Sequence, residues 1–328
     1  MPDAGRFTVL VADFLDDTTI ESPILEDIAD LRLCKARSEV ELFAWLPHTD
    51  AIMLYHDIPL LGEATFARAP RCKGVVRAGV GYNNVDLQAA ERHGVIVCNV
   101  PDYGTEEVAD HAIMFLLALA RWLVPCHEAI RNGEWNYQIA GSAPRLRGKT
   151  LGLIGCGRIG TATALRAKPF GMDLVFYDPF LRPGMDKALG IRRAASLEEL
   201  LEQSHFVSLH CYLDRSTYHL LNRQTIARMR PGAILINTAR GPCIDEEALL
   251  EALDRGHIAA AGLDVVEREP LENPRIRHHP KILLTPHSAF YSVEGFVELR
   301  TKAAEEVRRL LLGQPLRSRV RAEPDAPA

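Results

Sequence analysis

Short apolar segments alternate with segments of helical periodicity along nearly the whole chain, and this alternation restricts the fold more than any other feature. The predicted strands are FTVLVA (7–12), AIMLY (51–55), GVVRAG (74–79), VIVCNV (95–100), KTLGLIGCG (149–157), DLVFYD (173–178), HFVSLH (205–210), GAILIN (232–237), AAAGLDV (259–265) and KILLTP (281–286). Apolar strands joined by helices are typical of parallel sheets that are covered on both faces. The sequence therefore predicts an α/β fold, with a first unit of strands followed by a second series from residue 149 onward.

Residues 105–131 have the pattern of one long helix, with Thr105 as N-cap and Glu106 and Glu107 in the first turn. The apolar residues of this segment occupy too many sides for a surface helix. We therefore expect it to be buried between domains or between subunits.

The composition excludes several classes of protein. Of the 328 residues 47% are hydrophobic and 25% charged, and the net charge of −5 does not favour a nucleic-acid or membrane partner. Seven scattered cysteines without a C-x-x-C pair indicate free thiols and no metal site. We see no signal peptide, and the most apolar run, 112–124, is too short to span a bilayer. These features predict a cytoplasmic protein.

The stretch LGLIGCGRIG places Gly155, Gly157 and Gly160 in G-x-G-x-x-G spacing where a predicted strand gives way to a helix. Backbone N–H groups and the helix dipole converge there on one point, which suits a pyrophosphate. The first glycine permits the turn, the second allows close approach, and the third lets helix and strand pack. Arg158 and Ile159, at the helix start, belong to the same predicted cofactor-binding set. A purely structural turn is the alternative.

Asp178 follows the next predicted strand, 18 residues after the last glycine. Its carboxylate is placed to accept hydrogen bonds from a ribose diol and to repel the 2′-phosphate of NADP. The sequence therefore favours NAD, although the nearby Arg182 leaves some use of NADP open.

Three functional groups follow consecutive predicted strands: Arg240 after AILINTA, Glu269 after GLDVVER and His287 after ILLTP. Taken singly, each is more often a solvated loop residue. In open α/β sheets, however, ligands bind at the carboxyl ends of the strands. Beside a nicotinamide these three residues form the set that 2-oxo acid reduction needs: an imidazole to deliver a proton, a carboxylate to hold the imidazole, and a guanidinium to bind the substrate carboxylate.

The stretch RAGVGYNNVD suggests a second anion-binding element. Backbone N–H groups of Gly79, Val80 and Gly81 would form a concave nest for a carboxylate. A plain glycine turn between strand and helix is an equally good interpretation.

The sequence resembles the D-isomer-specific 2-hydroxyacid dehydrogenase family from about residue 7 to 315, and within it the C-terminal-binding protein (CtBP) branch of NAD(H)-dependent transcriptional corepressors. The matching blocks are PILEDIA (23–29), LYHDI (54–58), RAGVGYNNVD (77–86), GVIVCNVPDYGTEEVAD (94–110), LRGKTLGLIGCGRIG (146–160), LRAKPFGMDLVFYDP (165–179), VSLHC (207–211), NTARG (237–241), LDVVEREP (263–270) and TPHSAFYS (285–292).

This resemblance implies two doubly wound parallel-sheet domains of Rossmann or flavodoxin-like type with an active-site cleft between them. The substrate-binding domain would be discontinuous, comprising residues 1–102 and 293–328, and the NAD-binding domain would comprise 103–292. The resemblance also implies a homodimer joined largely through the predicted helix 105–131. Because the chain ends soon after its last predicted helix, we expect no regulatory C-terminal domain of the kind many phosphoglycerate dehydrogenases carry.

The resemblance also assigns residue roles. His287 would be the acid–base, Glu269 its partner and Arg240 the substrate clamp. The implied substrate-side residues are Tyr55, Arg77, Gly79, Val80, Gly81 and Phe290. The implied cofactor contacts, besides the glycine-rich turn and Asp178, are His210, Cys211, Thr238, Ala239, Arg240, Asp264 and His287. Phe290 stands where the corepressor branch has a tryptophan, which leaves a preference for a 4-methylthio-2-oxo acid open.

Two functional hypotheses follow. The first is an NAD(H)-dependent enzyme that reduces a small 2-oxo acid to a D-2-hydroxy acid, or the reverse, with phosphonate and formate oxidation as minor variants within the wider family. The second is a CtBP-like, NADH-responsive dimer that docks short peptides. The complete Arg240, Glu269 and His287 set favours the enzyme.

Overall fold

The computed structural model describes residues 6–322, and these residues form two compact units. Unit 1 takes in the described residues up to Gly104 and from Ser292 onward, and unit 2 is Thr105–Tyr291. The two ends of the predicted substrate-binding domain, 1–5 and 323–328, lie outside the described residues.

Unit 1 is built on a six-stranded sheet, with elements numbered along the chain. Its strands are β1 (Phe7–Val11), β2 (Ala29–Leu33), β3 (Ala51–Leu54), β4 (Gly74–Arg77), β5 (Ile96–Asn99) and β13 (Arg319–Val320). Its helices are α1 (Ser22–Leu25), α2 (Glu63–Phe66), α3 (Leu87–Arg92) and α12 (Val293–Leu311). The strand order is β13-β5-β4-β3-β1-β2. All pairs are parallel except the one between β13 and β5, so β1 to β5 follow the flavodoxin-like order.

Unit 2 is built on a seven-stranded, fully parallel sheet. Its strands are β6 (Thr150–Ile154), β7 (Asp173–Tyr177), β8 (Arg192–Arg193), β9 (Phe206–Leu209), β10 (Ala233–Asn237), β11 (Ile258–Leu263) and β12 (Ile282–Leu284). Its helices are α4 (Thr105–Ala120), α5 (Leu123–Arg131), α6 (Arg158–Ala167), α7 (Met185–Leu189), α8 (Leu197–Gln203), α9 (Arg223–Arg228), α10 (Glu246–Asp254) and α11 (Pro274–His278). The order β12-β11-β10-β9-β6-β7-β8 is that of a Rossmann fold. The predicted parallel-sheet α/β fold class is confirmed.

The strands of unit 2 are buried on both faces, which is why their sequences are apolar without alternation. Phe206 and Ile234 pack into a core with α4 and α6, whereas their neighbours Val207 and Leu235 pack into a second core with α8, α9 and α10. Successive side chains of a strand point to opposite faces, so each strand contributes to both cores. This double burial holds the carboxyl ends of the strands, where the predicted site residues lie, in a fixed register.

The prediction of one helix over 105–131 is wrong. Helix α4 ends at Ala120 and α5 begins at Leu123, with a bend of 59° between them. Trp122 at the break adopts a left-handed backbone conformation with φ of 53°, which interrupts the helical hydrogen-bond ladder. Among the described residues no single helix has the length and apolar character needed to cross a membrane, although α4 and α5 have both when taken together.

Candidate active site

The glycine-rich turn after β6 has the geometry of a phosphate cradle. Gly155 has a φ of 88°, and a Cβ on it would lie 2.8 Å from the backbone nitrogen of Cys211 after β9. A Cβ on Gly160 would overlap the carbonyl oxygen of Gly155, whereas around Gly157 there is open space to 4 Å. The turn therefore lies where the strand order reverses, with helix α6 starting behind it and room in front of Gly157 for an anionic group.

Asp178, just after β7, is hydrogen-bonded to this turn. One carboxylate oxygen accepts a hydrogen bond from the backbone N–H of Cys156 at 2.9 Å, and the other accepts from the N–H groups of Phe180 and Leu181 at 3.0 and 3.2 Å. A carboxylate has about four acceptor positions, so capacity remains for a ribose hydroxyl. Arg182, which left NADP open, is exposed.

Two buried polar atoms on the neighbouring loops, the hydroxyl of Thr238 and Nδ1 of His210, have no hydrogen-bond partner among residues 6–322. Burial lowers the pKa of His210 to about 3, so its ring is neutral, and Nε2 lies 2.9 Å from the hydroxyl of Ser208. Buried polar groups in native proteins are nearly always satisfied. A dinucleotide bound beside the glycine-rich turn would supply hydrogen-bond partners for these two atoms. The residues at this edge of the sheet therefore fit such a cofactor.

His287 and Glu269 form a direct pair at the same edge of the sheet. Nδ1 of His287 lies 2.6 Å from a carboxylate oxygen of Glu269, and both side chains are partly exposed. Partial burial works to raise the pKa of Glu269, but the hydrogen bond to His287 and its charge outweigh burial, and the pKa lies below its usual value. The backbone N–H of Val266 donates a further hydrogen bond to Glu269 at 3.2 Å. The carboxylate is therefore held ionised against Nδ1 of the imidazole.

Arg240 lies at the end of β10, in a turn that presses against the segment leading to Glu269. Asn237 fixes this turn, since its side chain donates to the carbonyl of Arg240 at 2.8 Å and accepts from the N–H of Ala239 at 3.0 Å. A Cβ on Gly241 would overlap the backbone of Val266, so the two segments touch. The charge of Arg240 contributes to the lowered pKa of Glu269. The three predicted residues are brought together at the ends of β10, β11 and β12.

Asp264 holds the turn that carries His287. Its carboxylate is 1% exposed and accepts hydrogen bonds from the hydroxyl of Thr285 at 2.6 Å and from the N–H groups of Ser288 and Ala289 at 2.9 and 3.0 Å. The backbone carbonyl of Asp264 accepts from the N–H of His287 at 2.8 Å. His287 has a φ of 52°, a conformation that a non-glycine residue adopts only when its surroundings impose it. Asp264 is thus a positioning residue here, and its predicted contact with a carboxamide stays a prediction.

Two further side chains lie next to the turn that carries His287. The ring of Phe290 stands edge-on to the imidazole of His287, with centroids 6.4 Å apart. His111 of α4, which the sequence analysis did not single out, lies 2.9 Å from the hydroxyl of Thr285 through Nε2. The sequence around His111 gives no indication of this contact, because Thr285 lies 174 residues further along the chain.

In unit 1, the predicted nest and Arg77 lie together at the end of β4. Gly79 has a φ of 151°, and a Cβ there would overlap the guanidinium of Arg77, so only glycine allows this arginine to fold back over the turn. The guanidinium donates to the carbonyl of Ala78 at 3.0 Å. Val80 is exposed and Gly81 partly exposed, whereas Gly79 is buried.

Tyr55 is buried, and its hydroxyl lies 3.4 Å from Glu21. The loop that it begins is held by Asp13, a fully buried carboxylate that the sequence analysis missed. Asp13 accepts hydrogen bonds from the N–H groups of Tyr55 at 2.6 Å, Asp57 at 2.7 Å and Ile58 at 3.2 Å. The bonds bridge more than 40 positions of sequence, so no local pattern reveals them.

Asp13 should make the stability of unit 1 fall as the pH rises. Burial, opposed by these hydrogen bonds, raises the pKa of Asp13 to about 6 from an ordinary 3.8. Between pH 3.8 and about 6, Asp13 keeps a proton in the folded chain that it has lost in the unfolded chain. The free energy of unfolding therefore falls as the pH rises through this range, by an amount on the order of 3 kcal/mol. The Asp13→Asn variant, compared with wild type by denaturant unfolding at pH 4 and pH 7, should lose this part of the pH dependence. Asp16→Asn, at an exposed site, is the control; equal pH dependence in both variants would contradict the assignment.

Comparison with known proteins identifies the family. The model of the D-isomer specific 2-hydroxyacid dehydrogenase NAD-binding domain matches residues 113–289. D-3-phosphoglycerate dehydrogenase of Bacillus subtilis is 37% identical over 96% of this chain, which spans 59% of that relative's length. The TT0316 protein from Thermus thermophilus is similar at 33% identity and a TM-score of 0.86, over 96% of this chain and 100% of that one.

A glyoxylate reductase from Paecilomyes thermophila is similar at 29% identity and a TM-score of 0.86, over 98% of this chain and 99% of that one. None of these names points to the corepressor branch that the sequence analysis favoured. The glycine-rich turn, the Rossmann strand order and the family match over more than half of the chain lead to one conclusion. The chain belongs to the D-isomer specific 2-hydroxyacid dehydrogenase family, and unit 2 contains its NAD-binding domain.

Proposed function

We propose that this protein is an NAD(H)-dependent dehydrogenase that reduces a small 2-oxo acid to the D-2-hydroxy acid. The observation that carries the proposal is the 2.6 Å pair of His287 and Glu269, with the charge of Arg240 beside it, at the sheet edge that holds the glycine-rich turn. Acid, orienting carboxylate and anion-binding cation on one edge with a redox cofactor match the needs of this reaction.

The roles follow from the charge that develops during reduction. NADH, when bound, supplies a hydride to the carbonyl carbon, and the carbonyl oxygen becomes negative. The imidazolium of His287 transfers a proton from Nε2 to that oxygen, and Glu269 stabilises the imidazolium through Nδ1 until then. Arg240 binds the substrate carboxylate and draws electron density from the adjacent carbonyl. In the reverse direction neutral His287 takes the hydroxyl proton.

We further propose that Arg77 and the amides of Gly79, Val80 and Gly81 contribute to binding the substrate carboxylate, and that Phe290 limits the size of the substrate side chain. The cation of Arg77 directly over the exposed turn supports the first assignment, and the edge-on contact of Phe290 with His287 supports the second.

A panel of substrates followed by NADH absorbance tests the proposal. The panel contains glyoxylate, pyruvate, hydroxypyruvate, 4-methylthio-2-oxobutyrate and phenylpyruvate, with 3-phosphoglycerate and NAD assayed in the oxidative direction because of the Bacillus relative's name. We expect saturable turnover with at least one member. NADH binding without turnover on any of them would leave peptide docking of the corepressor type as the better hypothesis; at present no observation favours it.

We also propose that the protein is a homodimer formed through α4, α5 and the segment that follows α5. Helix α5 has no buried residue, and Trp135 and Tyr137 are 90% and 88% exposed. The other large exposed apolar side chains of this arm are Met114, Leu123, Val124 and Ile130. Exposed apolar side chains concentrated in one segment of the chain are typical of an interface. The predicted cytoplasmic location remains a proposal, supported by seven free thiols.

The double variant Trp135→Glu/Tyr137→Glu should be monomeric in sedimentation velocity where the wild type sediments as a dimer, because two carboxylates would be buried without partners in the interface. Tyr212→Glu, at an exposed tyrosine of the same unit outside this arm, is the matched control and should remain dimeric. A wild-type monomer at all concentrations would contradict the proposal.

A further inference from the structure

Two of the seven thiols lie in contact. Sγ of Cys211 and Sγ of Cys243 are 4.0 Å apart, although 32 residues separate them in sequence. Cys211 follows β9 and is partly exposed, whereas Cys243 is buried at the end of the 3-10 turn Gly241–Cys243 after β10. The pair therefore connects two adjacent loops at the sheet edge that carries the candidate active site.

We propose that Cys211 and Cys243 are a peroxide-sensitive dithiol that closes to a reversible disulfide and thereby weakens NADH binding. This goes beyond the proposed function, since neither the bond nor its effect on cofactor affinity requires a substrate.

The chemistry needs only hydrogen peroxide as the oxidant. One thiolate attacks a peroxide oxygen and forms a sulfenic acid, as the O–O bond breaks and water leaves after protonation. The second thiol attacks the sulfenic sulfur, forms the S–S bond and releases a second water. The two sulfurs together lose two electrons, hydrogen peroxide gains them, and an added dithiol reverses the change.

The surroundings distinguish this pair from the other buried cysteines. Burial raises the pKa of Cys72 and of Cys98 to about 12 each. For Cys243, the hydrogen bond from the Cys211 thiol, opposed by burial and aided by the charge of Arg240, lowers the pKa. That same hydrogen bond raises the pKa of Cys211. The thiolate of the pair is thus favoured on Cys243, with its partner already in contact.

Closing the bond joins two loops that border the candidate site. A disulfide has an S–S length of about 2.05 Å, roughly half the present separation. The backbone of Cys211 lies so close to Gly155 that a Cβ on Gly155 would be 2.8 Å from the Cys211 nitrogen. The turn that ends in Cys243 lies against the backbone of Val266. A disulfide would therefore tie a loop that lies against the glycine-rich turn to a turn that lies against the segment leading to Glu269.

The test uses the full chain and hydrogen peroxide. After brief oxidation, intact mass should fall by about 2 Da, the mass of two hydrogens, and peptide mapping with differential alkylation should give one cross-link, Cys211 to Cys243. NADH affinity, from fluorescence titration, should weaken at least fivefold and recover with dithiothreitol. NADH bound beforehand should slow the cross-linking.

Cys243→Ala should bind NADH before oxidation and keep that affinity after it, whereas Cys126→Ser, which removes another partly exposed thiol of the same unit, should respond like wild type. The wild-type peptide map judges the proposal even if Cys243→Ala does not fold. Sulfinic or sulfonic acid without a cross-link, a cross-link between other cysteines, or a Cys211–Cys243 cross-link that leaves NADH affinity unchanged would each overturn it. Loss of turnover is not used as a readout, so an inactive enzyme does not affect the result.

Discussion

Substitution of His287 by asparagine should lower kcat for the best 2-oxo acid by about 10²–10⁴-fold, the range that a positioned acid contributes. The asparagine side chain retains a hydrogen-bond donor toward Glu269 but cannot deliver a proton to the developing alkoxide. NADH affinity should change little, because the glycine-rich turn and Asp178 lie on other loops of the same edge. Stopped-flow reduction under single-turnover conditions, with NADH titration alongside, measures both quantities.

The control is His278→Asn, the same change at an exposed histidine of unit 2, which should keep wild-type kcat. If His287→Asn retained kcat within threefold, another group would have to be the acid and the proposed mechanism would be wrong. If kcat and NADH affinity fell together, the change would have disturbed the turn held by Asp264 and not the chemistry alone.

The clustering of Arg240, Glu269 and His287 was predictable because each lies in the loop that follows an apolar strand. In a parallel sheet the ends of neighbouring strands meet at one edge. The glycine-rich turn is likewise contained in six residues. No long-range information is needed beyond the fold class, and the structure brings these groups together as that reasoning requires.

What the sequence analysis missed depends on partners that are distant in sequence. The carboxylate of Asp13 stands at the end of β1, like a loop residue, and its role appears only when the backbone amides more than 40 positions later fold around it. The contact of Cys211 with Cys243 has the same origin. Position 122 is a further case, because tryptophan has no intrinsic preference for the left-handed conformation that breaks the helix there.

The short edge strands were missed for a different reason. Strand β2, ADLRL, is exposed at alternate positions, and β13 has two residues, an arginine and a valine. Such segments lack the apolar run that identifies central strands. Residues 319–320 nevertheless pair antiparallel with β5.

Substitution of Arg300 by leucine should destabilise unit 1 by about 3–5 kcal/mol, the cost of leaving a buried charge without its partner. Arg300 makes two hydrogen bonds of 2.7 Å to the two carboxylate oxygens of Glu21, and a third of 2.9 Å to Asp17. Glu21 is fully buried and the Arg300 side chain is 7% exposed. The pKa of Arg300 is raised, mainly by its hydrogen bond to Glu21, so the guanidinium stays charged. Hydrogen exchange of the β1 amides, measured by mass spectrometry, reports the free energy of opening.

The matched control is Arg308→Leu on the same helix, because Arg308 pairs with the exposed Asp27 and such surface pairs contribute little to stability. The double variant Glu21→Leu/Arg300→Leu should recover most of the loss, since it removes both charges and leaves apolar volume in their place. Because the hydroxyl of Tyr55 also faces Glu21, Arg300→Leu should accelerate exchange in the loop after β3 as well. Equal, small effects of Arg300→Leu and Arg308→Leu would mean that water reaches Glu21 and that the pair behaves as a surface pair.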